Sequence, residues 1–222
     1  MLILGVDTSG KNGSIALVQF EQGSPHTLEI VALAGGTFSA QLVPQISELL
    51  ARHNFAKEDV GGFAVVPGPG SFTGLRVGLA AIKALAEVLR KPIAAVSLLE
   101  ALAKTSGKAG EVAAALDAGR GEVYVAYCNV ANQRVSVGEQ QLINFVELMA
   151  AAENREIVTP DSRLTDLARE KGIRATLIPY PRADVIARMG FEKIKTGEVI
   201  SVEALDANYI RRSDAEIKFA GK

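Results

Sequence analysis

The chain has 222 residues, 48% hydrophobic and 22% charged, a composition that supports one large core or two small ones and excludes a disordered protein. A formal net charge of −1, a pI near 6.2 and 5% aromatic residues with no Trp provide neither a broad basic surface nor stacking platforms, so strong autonomous binding of nucleic acid is not expected. The single cysteine, Cys128, excludes an internal disulfide; with an opening run too short and wrongly flanked for a signal peptide, a reducing cytoplasmic setting without membrane attachment is predicted.

In chain order, the first strand is predicted over Leu2 to Val6 and ends in Asp7, Ser9 to Gly13 supplies a hairpin turn, and strands follow at Ser14 to Val18 and Leu28 to Ala34. A helix from about Ser39 to Arg52 contains Pro44, which must sit in its first turn or mark a kink. After a strand at Gly62 to Val66 comes a glycine loop, then a helix over Thr73 to Leu89, a strand at Pro92 to Val96 and a helix capped by Ser97. The same order returns from Val112: a strand ending in Asp117, a turn through Gly121, strands at Val123 to Cys128 and near Arg134 to Gln141, then helices near Asn144, Ser162 and Arg182 separated by strands at Glu156 to Thr159 and Ala175 to Ile178. Two βββαβαβα units are therefore predicted, each opening on a strand whose last residue is an Asp entering a hairpin. Such units make mixed sheets flanked by helices, as an N-terminal lobe over 1–104 and a C-terminal lobe over 105–222 with a cleft between them.

The loop Pro67-Gly68-Pro69-Gly70-Ser71-Phe72-Thr73-Gly74-Leu75-Arg76 carries the most information. Gly68 and Gly70 free the backbone to turn its N–H groups inward, and Ser71 and Thr73 are good helix caps, a geometry suited to a phosphate on a helix N-terminus. It is neither a Walker A loop nor G-x-G-x-x-G, since no Lys-Ser or Lys-Thr follows and Thr73 stands at the third glycine's place. Asp7 and Asp117 could hold Mg²⁺ beside such a phosphate, but an Asp that caps its own hairpin is the commoner arrangement.

In the helix beyond the loop, Arg76, Lys83, Glu87 and Arg90 fall on one stripe and the rest is apolar or small, so cover on more than one side is expected. Gly74, Gly78 and Ala81, with Val77 and Leu85 beside them, form a smooth strip, and Leu42, Ile46 and Leu49 an apolar face on the preceding helix. Either the two helices pack only on each other and their own sheet, or they also dock a partner's helix pair as a four-helix bundle. Cys128 reads as a buried strand thiol. His26, in a predicted loop, and His53, at a helix end, have no Cys or acidic partner at metal-ligand spacing, so no metal centre and no cofactor are expected.

The opening Ile3 to Ser9, the loop from Gly68 to Gly78, Val96 to Ala103, Asp117 to Tyr124 and the tail Ala207-Asn208-Tyr209-Ile210-Arg211 together resemble the TsaB (YeaZ) family over nearly the whole chain. The resemblance implies a duplicated actin-like ATPase, or ribonuclease H-like, fold. It also implies a part in threonylcarbamoyl modification of the tRNA adenosine next to the anticodon, as the dimerisation partner of a catalytic TsaD subunit with TsaE as a third protein. The pairing surface would be the two N-lobe helices, with tRNA met only through the complex and self-association when the chain is alone. The catalytic relative carries His-x-x-x-His at the start of its first N-lobe helix, where this chain has Thr37-Phe38-Ser39-Ala40-Gln41-Leu42. A non-catalytic subunit is therefore expected, with a weak ATPase or kinase-like enzyme as the alternative and a glycoprotease-like peptidase behind it. Arg211 and Arg212 read as solvated charges before tRNA contacts.

Overall fold

The computed structural model describes residues 1–132, 134–152 and 154–210; Arg211 and Arg212 lie outside them. In chain order it contains β1 (Leu2–Asp7), β2 (Gly13–Glu21), β3 (Ser24–Leu33), α1 (Phe38–Arg52), β4 (Val60–Val65), α2 (Phe72–Leu89), β5 (Ile93–Ala95) and α3 (Leu98–Thr105). The second series is β6 (Gly110–Gly119), β7 (Glu122–Ala131), β8 (Arg134–Asn144), α4 (Phe145–Ala151), β9 (Glu156–Thr159), α5 (Ser162–Glu170), β10 (Ala175–Leu177) and α6 (Ala183–Lys195). The internal repeat is real: the sheets run β3-β2-β1-β4-β5 and β10-β9-β6-β7-β8, each with antiparallel hairpin strands on one side and parallel crossover strands on the other.

Two compact units result, and their limits differ from the expected break at residue 104. One is Met1–Ser97 with Arg182–Asn208; the other is Leu98–Pro181 with Tyr209 and Ile210. The reason is an exchange of terminal helices. The helix after β5, α3, packs on β6 and β7, while the helix after β10, α6, returns to β1, β2, β4 and β5. Helix periodicity marks an apolar stripe but not the sheet it will cover.

In the first unit, alternation along β1 assigns each face of the sheet. Leu2, Leu4 and Val6 join Leu42, Ile46, Leu49, Leu79 and Ile82 of α1 and α2 in one buried cluster. Gly5 points the other way, where an added Cβ would lie 2.2 Å from the Ala183 carbonyl oxygen of α6. Phe191 of α6 stacks on Phe20 with ring centroids 3.7 Å apart, which adds about 0.5–1.5 kcal/mol to the area both rings bury. In the second unit Ala113, Ala115, Val123 and Val125 pack with Leu148 of α4 and Leu164 and Ala168 of α5.

Two local expectations change. His26 lies on β3, because β2 and β3 extend to a tight turn at Gln22 and Gly23, both with positive φ; polar residues on this edge strand hide it from a hydrophobicity reading. Pro44 lies in the second turn of α1, on its exposed side. There the Ala40 carbonyl, deprived of its helical donor, is left to water rather than to the core.

Candidate functional site

The glycine loop follows β4, as the sequence predicts, and Ser71 caps α2 by accepting the Gly74 N–H at 3.4 Å. Its glycines serve close packing. The Ser71 N–H donates to the Ser9 carbonyl at 2.7 Å, and the Asn208 N–H to the Pro67 carbonyl at 2.8 Å. Gly68 has φ +145, and a Cβ there would stand 2.7 Å from the Asn208 carbonyl oxygen. Gly70 lies against Ser9, Gly74 against the Thr8 carbonyl and Gly78 against the Thr8 hydroxyl. Thr8 Oγ1 in turn donates to the Gly74 carbonyl at 2.8 Å. Glycines at a spacing of four thus form a furrow on α2 that receives the turn after β1.

This corrects the picture of an outward strip. Gly74 and Gly78 are buried against Thr8, and Leu42, Ile46 and Leu49 lie in the unit's own core. Val77, Ala81 and Leu85 are half-buried and pack on that core cluster. The surface that α1 and α2 do present is different. Val43 is 53% exposed, Val88 75% and Phe72 40%, and Ala40, Pro44, Ser47, Ala51, Ala80 and Ala84 are exposed as well. Thr73 is also exposed, and the Arg76 guanidinium sits 3.7 Å over the Phe72 ring.

Asp7 is buried and its Oδ1 accepts the Ser9 N–H at 2.8 Å and the Ser9 hydroxyl at 2.5 Å. Burial pushes its pKa up to about 6, against the lowering effect of the Ser9 hydrogen bonds. Asp117, exposed, accepts the Gly119 N–H at 2.8 Å. Both aspartates therefore cap their own hairpins. A carboxylate whose folded pKa lies above its unfolded value of 3.8 destabilises the fold as it ionises, so stability present below pH 4 is lost as pH rises through 6. Asp7→Asn keeps the acceptor and removes the charge. Its melting temperature is expected to exceed that of the parent at pH 8, by the equivalent of up to about 3 kcal/mol, and to converge with it near pH 4; a parallel pH dependence of the two proteins would overturn this.

The start of α1 is occupied by packing. Phe38 and Leu42 are buried, and the Gln41 side chain bonds Thr37 and the Ala34 N–H. His53 has an acidic neighbour that spacing did not reveal, Glu29 of β3, at 2.9 Å, with Arg52 on the same carboxylate at 2.8 Å. Cys128 is a buried strand thiol, its pKa pushed up to about 12 by desolvation. Sequence reasoning missed Thr8, Ser9 and Asn208 as the loop's partners; the four-residue spacing of Gly70, Gly74 and Gly78 was the available signal.

Two copies of a mixed five-stranded sheet, each opening on a strand with a hairpin-capping Asp at or near its end, define the duplicated actin-like ATPase, or ribonuclease H-like, fold. The family model for TsaD, tRNA N6-adenosine threonylcarbamoyltransferase, matches residues 32–218, and the chain belongs to this family. Relatives that match over nearly the full length of both chains include TsaB proteins, in agreement with the resemblance read from the sequence. The chain is 29% identical over 99% of its length to the tRNA threonylcarbamoyladenosine biosynthesis protein TsaB of Bacillus subtilis, covering 98% of that protein. It is 26% identical to TsaB of Escherichia coli over the whole of both chains. The solved structure of YeaZ from Pseudomonas aeruginosa superposes with a TM-score of 0.76 at 23% identity, over 94% of this chain and 99% of that one, a likeness of fold.

Proposed function

We propose that this chain acts in threonylcarbamoyl modification of the tRNA adenosine next to the anticodon as a non-catalytic partner and dimerisation subunit. Its α1–α2 face would bind and support a TsaD-like transferase. The observation that carries the reading is that exposed face: two adjacent helices turn outward Ala40, Val43, Pro44, Ser47, Ala80, Ala84 and Val88, with the exposed Arg76, Glu48 and Glu87 among them. Small and β-branched side chains lose little on desolvation and let a second helix pair approach closely, and the few charges among them can pair across the contact. The full-length likeness to TsaB proteins supports the pathway.

In this reading a TsaE-like ATPase joins the assembly, tRNA is met through the complex, and the lone chain forms a homodimer through the same helices. Among the described residues no helix is long and apolar enough to cross a membrane; cytoplasmic location is part of the proposal. The enzyme alternative would place nucleotide phosphate at Gly68, Gly70, Ser71 and Thr73 with Asp7 or Asp117 beside it. Against it, the Ser71 N–H and both aspartates already serve turn and loop bonds.

Reconstitution separates the two. Modification of tRNA is expected only when this chain and a TsaD-type transferase are both present, with no steady ATP turnover by the chain alone. Turnover by the isolated chain, abolished by Asp7→Ala, would establish the enzyme instead.

A further inference from the structure

In the second unit the parallel strands β6, β9 and β10 end on one side, where a crevice of about 670 Å³ opens beside the N-terminus of α5. Parallel sheets take ligands at this edge, because the connections leaving the carboxyl ends of neighbouring strands can diverge and leave a gap. The apolar wall contains Leu116, Ile178, Leu177 and Tyr180; Leu177 is 50% exposed and Tyr180 36%. Two carboxylates, Asp117 and Asp161, lie beside it, and among the described residues no Lys or Arg lines the crevice. Each carboxylate commits one oxygen: Asp117 Oδ1 to the Gly119 N–H at 2.8 Å, and Asp161 Oδ1 to the Arg163 N–H at 2.9 Å.

A phosphate entering here would face two carboxylates with no cation among the described lining residues, and the positive end of α5 is already met by Asp161, whose Oδ1 accepts the Arg163 N–H. A long basic side chain is complementary along its whole length, its methylenes against Leu177 and Ile178 and its head between the carboxylates and the Tyr180 ring. Of the two basic side chains, guanidinium fits better, because its planar fork can donate to two separate carboxylates at once where an ammonium is a single point charge. We propose that this crevice is a docking pocket for an arginine side chain presented by a protein partner. A protein, rather than a free cation, is indicated by the exposed Leu177 and Tyr180, which a partner surface would cover and a small ligand would leave wet. The pocket is built from the second unit alone and does not draw on the α1–α2 reading.

The test is a titration of the full-length, methyl-labelled chain, followed by NMR, with the capped tripeptide Ala-Arg-Ala and with its citrulline counterpart. The arginine peptide is expected to shift the Leu116, Leu177 and Ile178 methyl signals, and the neutral isostere to leave them unmoved. Asp117→Asn and Asp161→Asn, which preserve the turn and the helix cap, are each expected to weaken binding about tenfold. Ala84→Arg on α2 should leave the titration unchanged. Equal shifts from the citrulline peptide, silence of those methyls at millimolar peptide, or agmatine binding as tightly as the peptide would each overturn the proposal. So would MgATP moving the same signals in a manner abolished by Asp117→Asn.

Discussion

A chain carrying Ala84→Arg is expected to lose association with a TsaD-type transferase, and tRNA modification by the mixture with it, while its own melting temperature barely moves. Ala84 is exposed on α2, so arginine costs the isolated fold little, and arginine is a good helix former. In a helix-on-helix interface the same charge would be buried without a partner, at about 3 kcal/mol or more, equivalent to at least about a hundredfold in affinity. Val43→Glu on α1 should act in the same way. Size-exclusion co-elution and a modification assay read the effect, and Arg169→Ala on α5, exposed in the other unit, is the neutral control. Normal association by both variants would exclude α1–α2 as the docking face. Ala81, attractive from sequence alone, is the wrong position to test, since it is half-buried against the core and Ala81→Arg would confuse misfolding with lost docking.

The largest stability effects are expected in the furrow of α2. Replacing a helical glycine by alanine ordinarily gains up to about 1 kcal/mol. At Gly74 the new Cβ would lie 2.1 Å from the Thr8 backbone carbonyl oxygen, and at Gly78 2.3 Å from Thr8 Oγ1. Overpacking of that kind costs about 1–3 kcal/mol, and displacing Thr8 also breaks its bond to the Gly74 carbonyl, worth about 1 kcal/mol more. The clash therefore wins, and both variants should be less stable by about 2 kcal/mol in chemical denaturation. The two separate in combination with Thr8→Ala. That change removes the atom Gly78→Ala strikes, so the pair should be clearly less than additive, whereas the carbonyl opposing Gly74→Ala remains and no rescue should follow. Stabilisation by either glycine substitution, or rescue of both, would show that the furrow does not hold the turn.

Much of the fold was legible because its signals are local. Short continuous apolar runs mark β1, β6 and β9, a capping Ser or Asn marks the start of α2 and α4, and an Asp at or near the end of the first strand in each series exposes the duplication. The candidate site was legible only in part. Gly68 to Thr73 were rightly placed between a strand and a helix, but glycine signals a close approach without naming what approaches. The identity of the neighbour depends on residues distant in sequence: Thr8 and Ser9 lie more than 60 positions from Gly74, and Asn208 comes from the far end of the described chain.

By itself, then, the sequence determined the element order, the repeat, the hairpin-capping aspartates and membership of a family recognisable by its glycine loop. Each of these is set by the preferences of a few consecutive residues. Tertiary structure alone decided that α3 and α6 change sheets, that the glycines of α2 face Thr8, and that Val43, Ala84 and Val88 rather than Leu42 and Gly78 meet solvent. An amphipathic helix has several low-cost ways to bury itself, and the choice among them is made by the sheet and the turn it packs against.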